Sequence, residues 1–117
     1  MQKQKTRFQV IELGFYSNGW MTLFLPRHRG TDSLTKEEFV QNISDLKSFF
    51  EIRSGPNAPR IHNAERKYWA IPPENVRLWP TNVIVEAIKG IWQRQGVEVE
   101  VETYHHDHPF NEAKDLT

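Results

Sequence analysis

Residues 76–104 hold a helix pattern followed at once by a strand pattern, and this succession constrains the fold more than any other stretch. Ile84, Ile88 and Ile91 recur at spacings of three and four, and Trp92 widens the apolar stripe. Such spacing is typical of one buried face of an α-helix. The sequence therefore predicts a helix whose inner face belongs to the core.

The ends of this helix and the strand after it also have recognisable signals. Thr81 or Asn82, directly after a proline, is placed to cap the helix start. Gly96 is placed to end it, since glycine is common one residue past a helix. The residues that follow alternate between apolar and acidic, which predicts a strand with one buried and one wet face: Val97, Val99 and Val101 alternate with Glu98, Glu100 and Glu102.

Two β-rich runs, residues 8–16 and 20–25, flank Asn18-Gly19. An Asn-Gly pair between such runs is a strong signal for a hairpin with a two-residue loop. In that register Phe15 faces Thr22 and Leu13 faces Phe24. In the first run, the apolar residues switch from one face of the strand to the other near Val10. This switch predicts either a β-bulge there or a strand buried on both faces.

Between the hairpin and residue 76 the pattern predicts one helix and one strand. Thr35 and Glu38 form a capping box, and an apolar stripe continues to residue 50, so a helix is expected over 36–50. Residues 66–71 form an aromatic strand candidate. The predicted fold class is α+β, with a four-stranded mixed sheet in the order ββαβαβ and two helices packed on one face. The third strand, second helix and fourth strand could form a βαβ crossover if the strands are parallel.

Length and composition bound the class of protein. The 117 residues predict a single domain over 1–117, with 1–6 and 109–117 as flexible ends. No apolar run is long enough to span a bilayer. The chain has no cysteine and starts with a polar leader, so we expect a cytoplasmic protein without a signal peptide. The net charge is zero, which argues against a phosphate-binding surface over the whole domain.

A long aperiodic segment over residues 54–65 is the first candidate site, because binding residues concentrate on loops held by a scaffold. Arginine beside aromatic residues suits carboxylate, phosphate or nucleobase recognition. Trp69 is included on the condition that its ring reaches the surface. A second basic turn lies near residue 28. The predicted binding residues are Arg53, Arg60, His62, Arg66, Lys67 and Trp69, with Arg27 and Arg29.

The C-terminal histidines are the second candidate site. If the last strand continues, His106 and His108 share a face with Glu102, and two histidines at that spacing can converge on zinc. His62 or His28 would then supply a third ligand. Polar strand ends commonly carry histidines without any metal, and we predict no stoichiometric zinc and no cofactor.

The sequence therefore predicts a small non-enzymatic binding protein of the inhibitor, immunity or adaptor type, acting on a protein or protein–nucleic acid partner. One alternative is a nucleic-acid-binding module that uses residues 53–69 and 27–29. A second alternative is a metal-dependent hydrolase that uses the C-terminal histidines. The glutamate row of the last strand is either a solvated edge or an acidic surface that faces a basic partner.

Overall fold

The computed structural model describes residues 7–26, 34–50, 61–62 and 68–111. Its helices and mixed sheet confirm the predicted α+β class. In chain order the elements are β1 (Arg7–Phe15), β2 (Met21–Phe24), α1 (Lys36–Phe49), β3 (Ile61–His62), β4 (Tyr68–Ile71), α2 (Pro73–Val76), α3 (Thr81–Gln93) and β5 (Val97–His105).

The sheet has five strands in the spatial order β3-β4-β2-β1-β5, where four strands were predicted. β3 is the addition: it lies inside the stretch expected to be a loop and pairs antiparallel with β4. β2 pairs antiparallel with both β1 and β4, whereas β1 and β5 are parallel. β4 and β5 therefore run in the same direction, with β2 and β1 between them. The short α2 lies between the predicted strand that ends at residue 71 and the helix predicted after Pro80, where the sequence pattern predicts no helix.

The β1–β2 hairpin has a three-residue loop, Ser17-Asn18-Gly19, instead of the predicted two-residue loop. The amide of Tyr16 donates to the carbonyl of Trp20 over 3.0 Å, and Gly19 N–H donates to the Tyr16 carbonyl over 3.0 Å. Gly19 has a φ of 91°, as the last residue of such a loop requires. The hairpin is where it was predicted, but its loop is one residue longer.

This extra loop residue changes the pairing register. Leu13 lies opposite Leu23 and Phe15 opposite Met21, where Phe24 and Thr22 were expected. A one-residue shift exchanges the two faces of a strand. Met21 and Leu23 consequently join the core, because the observed register buries the more apolar set of β2 side chains.

β1 is the central strand and is buried on both faces. Its pairing with β5 is continuous from Arg7–Val97 to Phe15–His105, so the predicted bulge near Val10 is wrong. Val10 is 2% exposed and Ile11 is fully buried, although alternate residues of a strand point to opposite faces. The switch of the apolar residues between faces reflects this double burial.

Helix α1 starts as predicted and is tied to β1. Thr35 accepts from the Glu38 amide, and the Glu38 carboxylate accepts from the Thr35 amide. Arg7 donates both guanidinium Nη atoms to the same carboxylate, each over 2.7 Å. The hydrogen bond from Arg7, followed by that from the Thr35 backbone, lowers the pKa of Glu38 from 4.5 to about 2.

Helix α3 begins at Thr81 with Pro80 as its N-cap residue, and among the described side chains none caps it. The predicted cap by Thr81 or Asn82 is therefore wrong: the fixed φ of proline is compatible with a helix start without a side-chain cap. Ile88 and Ile91 face inward as predicted, at 0% and 6% exposure. Gly96 has a φ of 76° and ends the turn after the helix.

One hydrophobic cluster joins the sheet to both long helices. It contains Ile11 and Leu13 of β1, Met21 and Leu23 of β2, Ile43 and Leu46 of α1, Trp69 and Ile71 of β4, and Ile84, Ile88 and Trp92 of α3.

None of the helices in the described ranges is long and apolar enough to cross a membrane.

Candidate binding surface

Most of the predicted basic site lies outside the described residues. This applies to Arg53, Arg60, Arg66 and Lys67 of the long segment, and to Arg27, Arg29 and His28 of the earlier turn. Their role in binding stays a prediction. His62 is described through its backbone, which belongs to β3 and pairs opposite Tyr68.

Trp69 lies in the core, and its ring does not reach the surface. It sits in β4 opposite Leu23 and is 2% exposed. Trp69 was included as a binding residue only if its ring reaches the surface, so it is removed from the candidate site. It packs in the hydrophobic core between the sheet and the helices. The alternation of β4 places residues 69 and 71 on the core face, and that face could not be assigned without the strand register.

Of the described tryptophans, Trp79 is the one whose side chain is exposed, while Trp20 is half-buried. Leu78 is 45% exposed and Trp79 is 38% exposed, next to each other in the chain. The Trp79 ring stacks on Phe49 with centroids 5.0 Å apart and an interplanar angle of 17°. We call the three residues Phe49, Leu78 and Trp79 the Trp79 patch.

Contacts between the α2 segment and the end of α1 hold these aromatic rings together. Pro73 opens α2 at its first position, where a missing N–H costs nothing. The segment then returns to the end of α1: Asn75 Nδ2 donates to the Phe50 carbonyl over 2.9 Å, and Trp79 Nε1 donates to the Phe49 carbonyl over 3.1 Å. The last carbonyls of a helix lack partners within it, so these side chains satisfy them and fix the patch.

Sequence reasoning missed this patch. Leu78 and Trp79 lie in the short segment between Pro73 and Pro80 and follow neither helical nor strand periodicity. Two adjacent apolar residues outside any periodic stripe are not predicted to join a core face. This absence of periodicity is the signal that could have identified the patch. Arg77, which precedes the pair, is exposed as well.

A second surface is formed by β5, which lies at one edge of the sheet. Glu98 and Glu100 are exposed, and Glu102 is half-buried. Tyr104 is 44% exposed and donates its hydroxyl to Glu102 over 2.8 Å. The acidic row is therefore on the wet side of an edge strand, an arrangement that discourages edge-to-edge pairing and equally suits a basic partner.

The C-terminal histidines pack against aromatic rings. β5 ends at His105, so the strand does not continue through residue 108. His106 stacks on Tyr16 at 4.4 Å between centroids, and His108 meets the same ring edge-on at 5.5 Å. Within the described ranges, no group of three or more histidine, aspartate or glutamate side chains is placed to hold a metal ion.

Comparisons with known proteins find no match: no family model, no curated protein and no solved structure resembles this chain.

Proposed function

We propose that this chain is a small binding protein that acts by contact with a protein partner, through the Trp79 patch. The observation that carries the proposal is an exposed tryptophan stacked on Phe49 and hydrogen-bonded to the end of α1. Tryptophan is among the residue types that most often dominate binding energy at protein interfaces.

The patch is suited to binding because it is already fixed. Burying a side chain at an interface costs about 0.5–1.5 kcal/mol when many rotamers must be immobilised. The hydrogen bond to the Phe49 carbonyl and the stacking both hold the Trp79 ring before any partner arrives. Leu78, at 45% exposure, adds apolar area beside it. A rigid aromatic anchor of this kind gains affinity by lowering the cost of ordering.

In the sequence, the predicted basic segment follows the end of α1, the helix to which the patch is attached. Residue 51 follows Phe50, whose carbonyl accepts from Asn75, four residues before Trp79 in the chain. Arg53 is three residues beyond Phe50 in the sequence. An exposed tryptophan and an arginine-rich segment that follows the same helix in the sequence support a partner that offers both apolar side chains and carboxylates.

A protein partner fits better than nucleic acid for two reasons. The chain is neutral overall, so sequence-independent phosphate binding has little net charge to draw on. The exposed row on β5 is acidic and would repel a phosphate backbone on that side. Inhibitor, immunity and adaptor roles all belong to this class, and the partner's identity separates them.

The test is differential capture. The wild-type chain, Trp79→Ala and Val40→Ala serve as baits in a lysate of the native host, with mass spectrometry of the retained proteins. Val40 is the matched control because it is the most exposed large apolar residue in the described part of the chain, at 58%, and lies on α1 outside the patch. We expect a partner retained by wild type and Val40→Ala and lost with Trp79→Ala.

Calorimetry on that partner then gives the size of the effect. Trp79→Ala should weaken binding by about 30-fold, or about 2 kcal/mol, with circular dichroism showing an intact fold. A paired Arg60→Ala, Arg66→Ala variant tests the basic segment. If Trp79→Ala binds like wild type while charge reversal of Glu98 and Glu100 abolishes binding, the proposal is wrong and β5 is the interface. A steep loss of affinity with salt would favour the nucleic-acid alternative.

A further inference from the structure

Residues 106–110, which we call the C-terminal strap, are hydrogen-bonded to the β1–β2 hairpin loop. His106 N–H donates to the Phe15 carbonyl over 2.8 Å, and Ser17 N–H donates to the His108 carbonyl over 3.1 Å. The strap therefore continues the contact between β5 and β1 beyond the end of the strand.

The Asn18 side chain closes this contact. Its Nδ2 donates to the Phe110 carbonyl over 3.1 Å, and its Oδ1 accepts from the Phe110 N–H over 3.0 Å. Both polar groups of one amide side chain thus pair with both backbone groups of one residue. Only asparagine or glutamine can supply a donor and an acceptor in this arrangement.

Ring packing supports the same contact. Phe110 is 4% exposed and packs against Tyr16 at 5.1 Å and Trp20 at 5.0 Å between ring centroids. The packed fold thus extends through Phe110, inside the range 109–117 expected to be a flexible end. Gly14 leaves room for the strap, since a Cβ there would lie 3.1 Å from His106 Nε2.

We propose that Asn18 is a site of spontaneous deamidation. The contact with the strap slows the reaction, and the product of the reaction releases the strap. Asn18 precedes Gly19, and glycine offers no side chain to hinder attack by its backbone nitrogen. In the reaction the Gly19 nitrogen attacks Asn18 Cγ and gives its proton to solvent base. The Cγ–Nδ2 bond breaks, ammonia leaves, and water hydrolyses the succinimide to aspartate or isoaspartate.

The folded hairpin holds both reacting groups away from this reaction. The Gly19 N–H is hydrogen-bonded to the Tyr16 carbonyl, and the Asn18 amide is held on both sides by Phe110. The loop must therefore open locally before the Gly19 nitrogen can reach Cγ. The rate is consequently set by the population of the open state.

The product cannot restore the original contact. An aspartate carboxylate accepts hydrogen bonds but cannot donate one, so it faces the Phe110 carbonyl oxygen as a second acceptor. Isoaspartate also adds a carbon to the backbone inside the loop. Deamidation would therefore convert a reversible opening into a lasting release of the strap from the hairpin.

The experiment follows the mass gain at Asn18 in the full chain during incubation in mildly alkaline buffer, by peptide mapping. The reference is a synthetic peptide of residues 14–22. We expect the folded chain to react at least about tenfold more slowly than the peptide, a difference of about 1.4 kcal/mol in activation free energy. In a denaturing concentration of urea the full chain should react at the rate of the peptide under the same conditions.

Variants of the strap test whether it slows deamidation. Phe110→Ala removes the ring anchor and should accelerate deamidation, and Phe110→Leu should do so less. Tyr104→Ala, an exposed aromatic on β5 outside the strap, should keep the wild-type rate. If Phe110→Ala does not fold, the Phe110→Leu and urea measurements show whether the folded strap slows deamidation. Equal rates for the folded chain and the peptide, or for wild type and Phe110→Leu, would overturn the proposal.

Release of the strap has its own readout. In Asn18→Asp, the amides of Ser17 and Phe110 should exchange hydrogen faster than in wild type, because both donate across the contact. Core amides of α3 serve as the reference. Unchanged protection at both positions would show that aspartate keeps the strap in place, and would refute the second half of the proposal.

Discussion

Asn42→Leu is expected to stabilise the protein, although it replaces a fully buried residue. Asn42 lies in α1 at 0% exposure, and within the described part of the chain neither Oδ1 nor Nδ2 has a hydrogen-bond partner. Each unsatisfied buried polar group costs about 1–3 kcal/mol. Leucine removes both groups and gains up to about 0.5 kcal/mol of helix propensity.

Leucine is somewhat larger than asparagine, and overpacking typically costs about 1–3 kcal/mol. The net expectation is a gain of about 1–2 kcal/mol, which for a domain near this size raises the melting temperature by about 4–8 °C. Urea unfolding followed by tryptophan fluorescence gives the free energy, and circular dichroism gives the melting temperature.

Ser44→Leu is the control, because Ser44 is an exposed residue of the same helix and its replacement relieves no buried polar group. We expect its change to stay within about 0.5 kcal/mol. If Asn42→Leu destabilises the protein by more than about 1 kcal/mol, the cost assigned to the unsatisfied amide is wrong and Asn42 has polar partners in solution.

Three further substitutions test the fold. Ile88→Ala should lower the unfolding free energy by about 2–5 kcal/mol, since Ile88 is fully buried, and an unchanged urea midpoint would contradict this. Gly19→Val should cost well over about 1 kcal/mol, because φ is 91° and the new Cβ would lie 3.0 Å from Pro73 Cβ; wild-type stability would refute the positive φ. The folded-state pKa of Glu38 is depressed, so its contribution is full above 4.5 and is lost as pH falls toward about 2. Unfolding measured across that interval should depend less on pH in Glu38→Gln, and equal slopes would count against the Arg7–Glu38 assignment.

The hairpin shows that the sequence located the turn but could not predict the strand register. The Asn18-Gly19 pair correctly located the turn, and Gly19 does take a positive φ. Two- and three-residue loops share this dipeptide signal, yet they differ by one residue in register. The choice between them depends on which face of β2 fits the core, and Met21 and Leu23 pack there against residues far away in the chain.

The tryptophans show the same limit at the candidate site. Trp69 and Trp79 each lie two residues after a basic residue and within three residues of a proline, so their neighbours in the sequence do not tell them apart. Trp69 is buried because β4 pairs with β2, and Trp79 is exposed because α2 returns the chain to the end of α1. Neither contact has a local sequence signal.

The sequence by itself determined the α+β class, the capping box at Thr35, the inward face of α3 and the alternation of β5, because each depends on residues within a few positions of one another. Only the tertiary structure decided the strand order, the burial of β1 on both faces and the exposure of Trp79. These features depend on contacts between distant segments, and side-chain burial is a property of what packs against a residue.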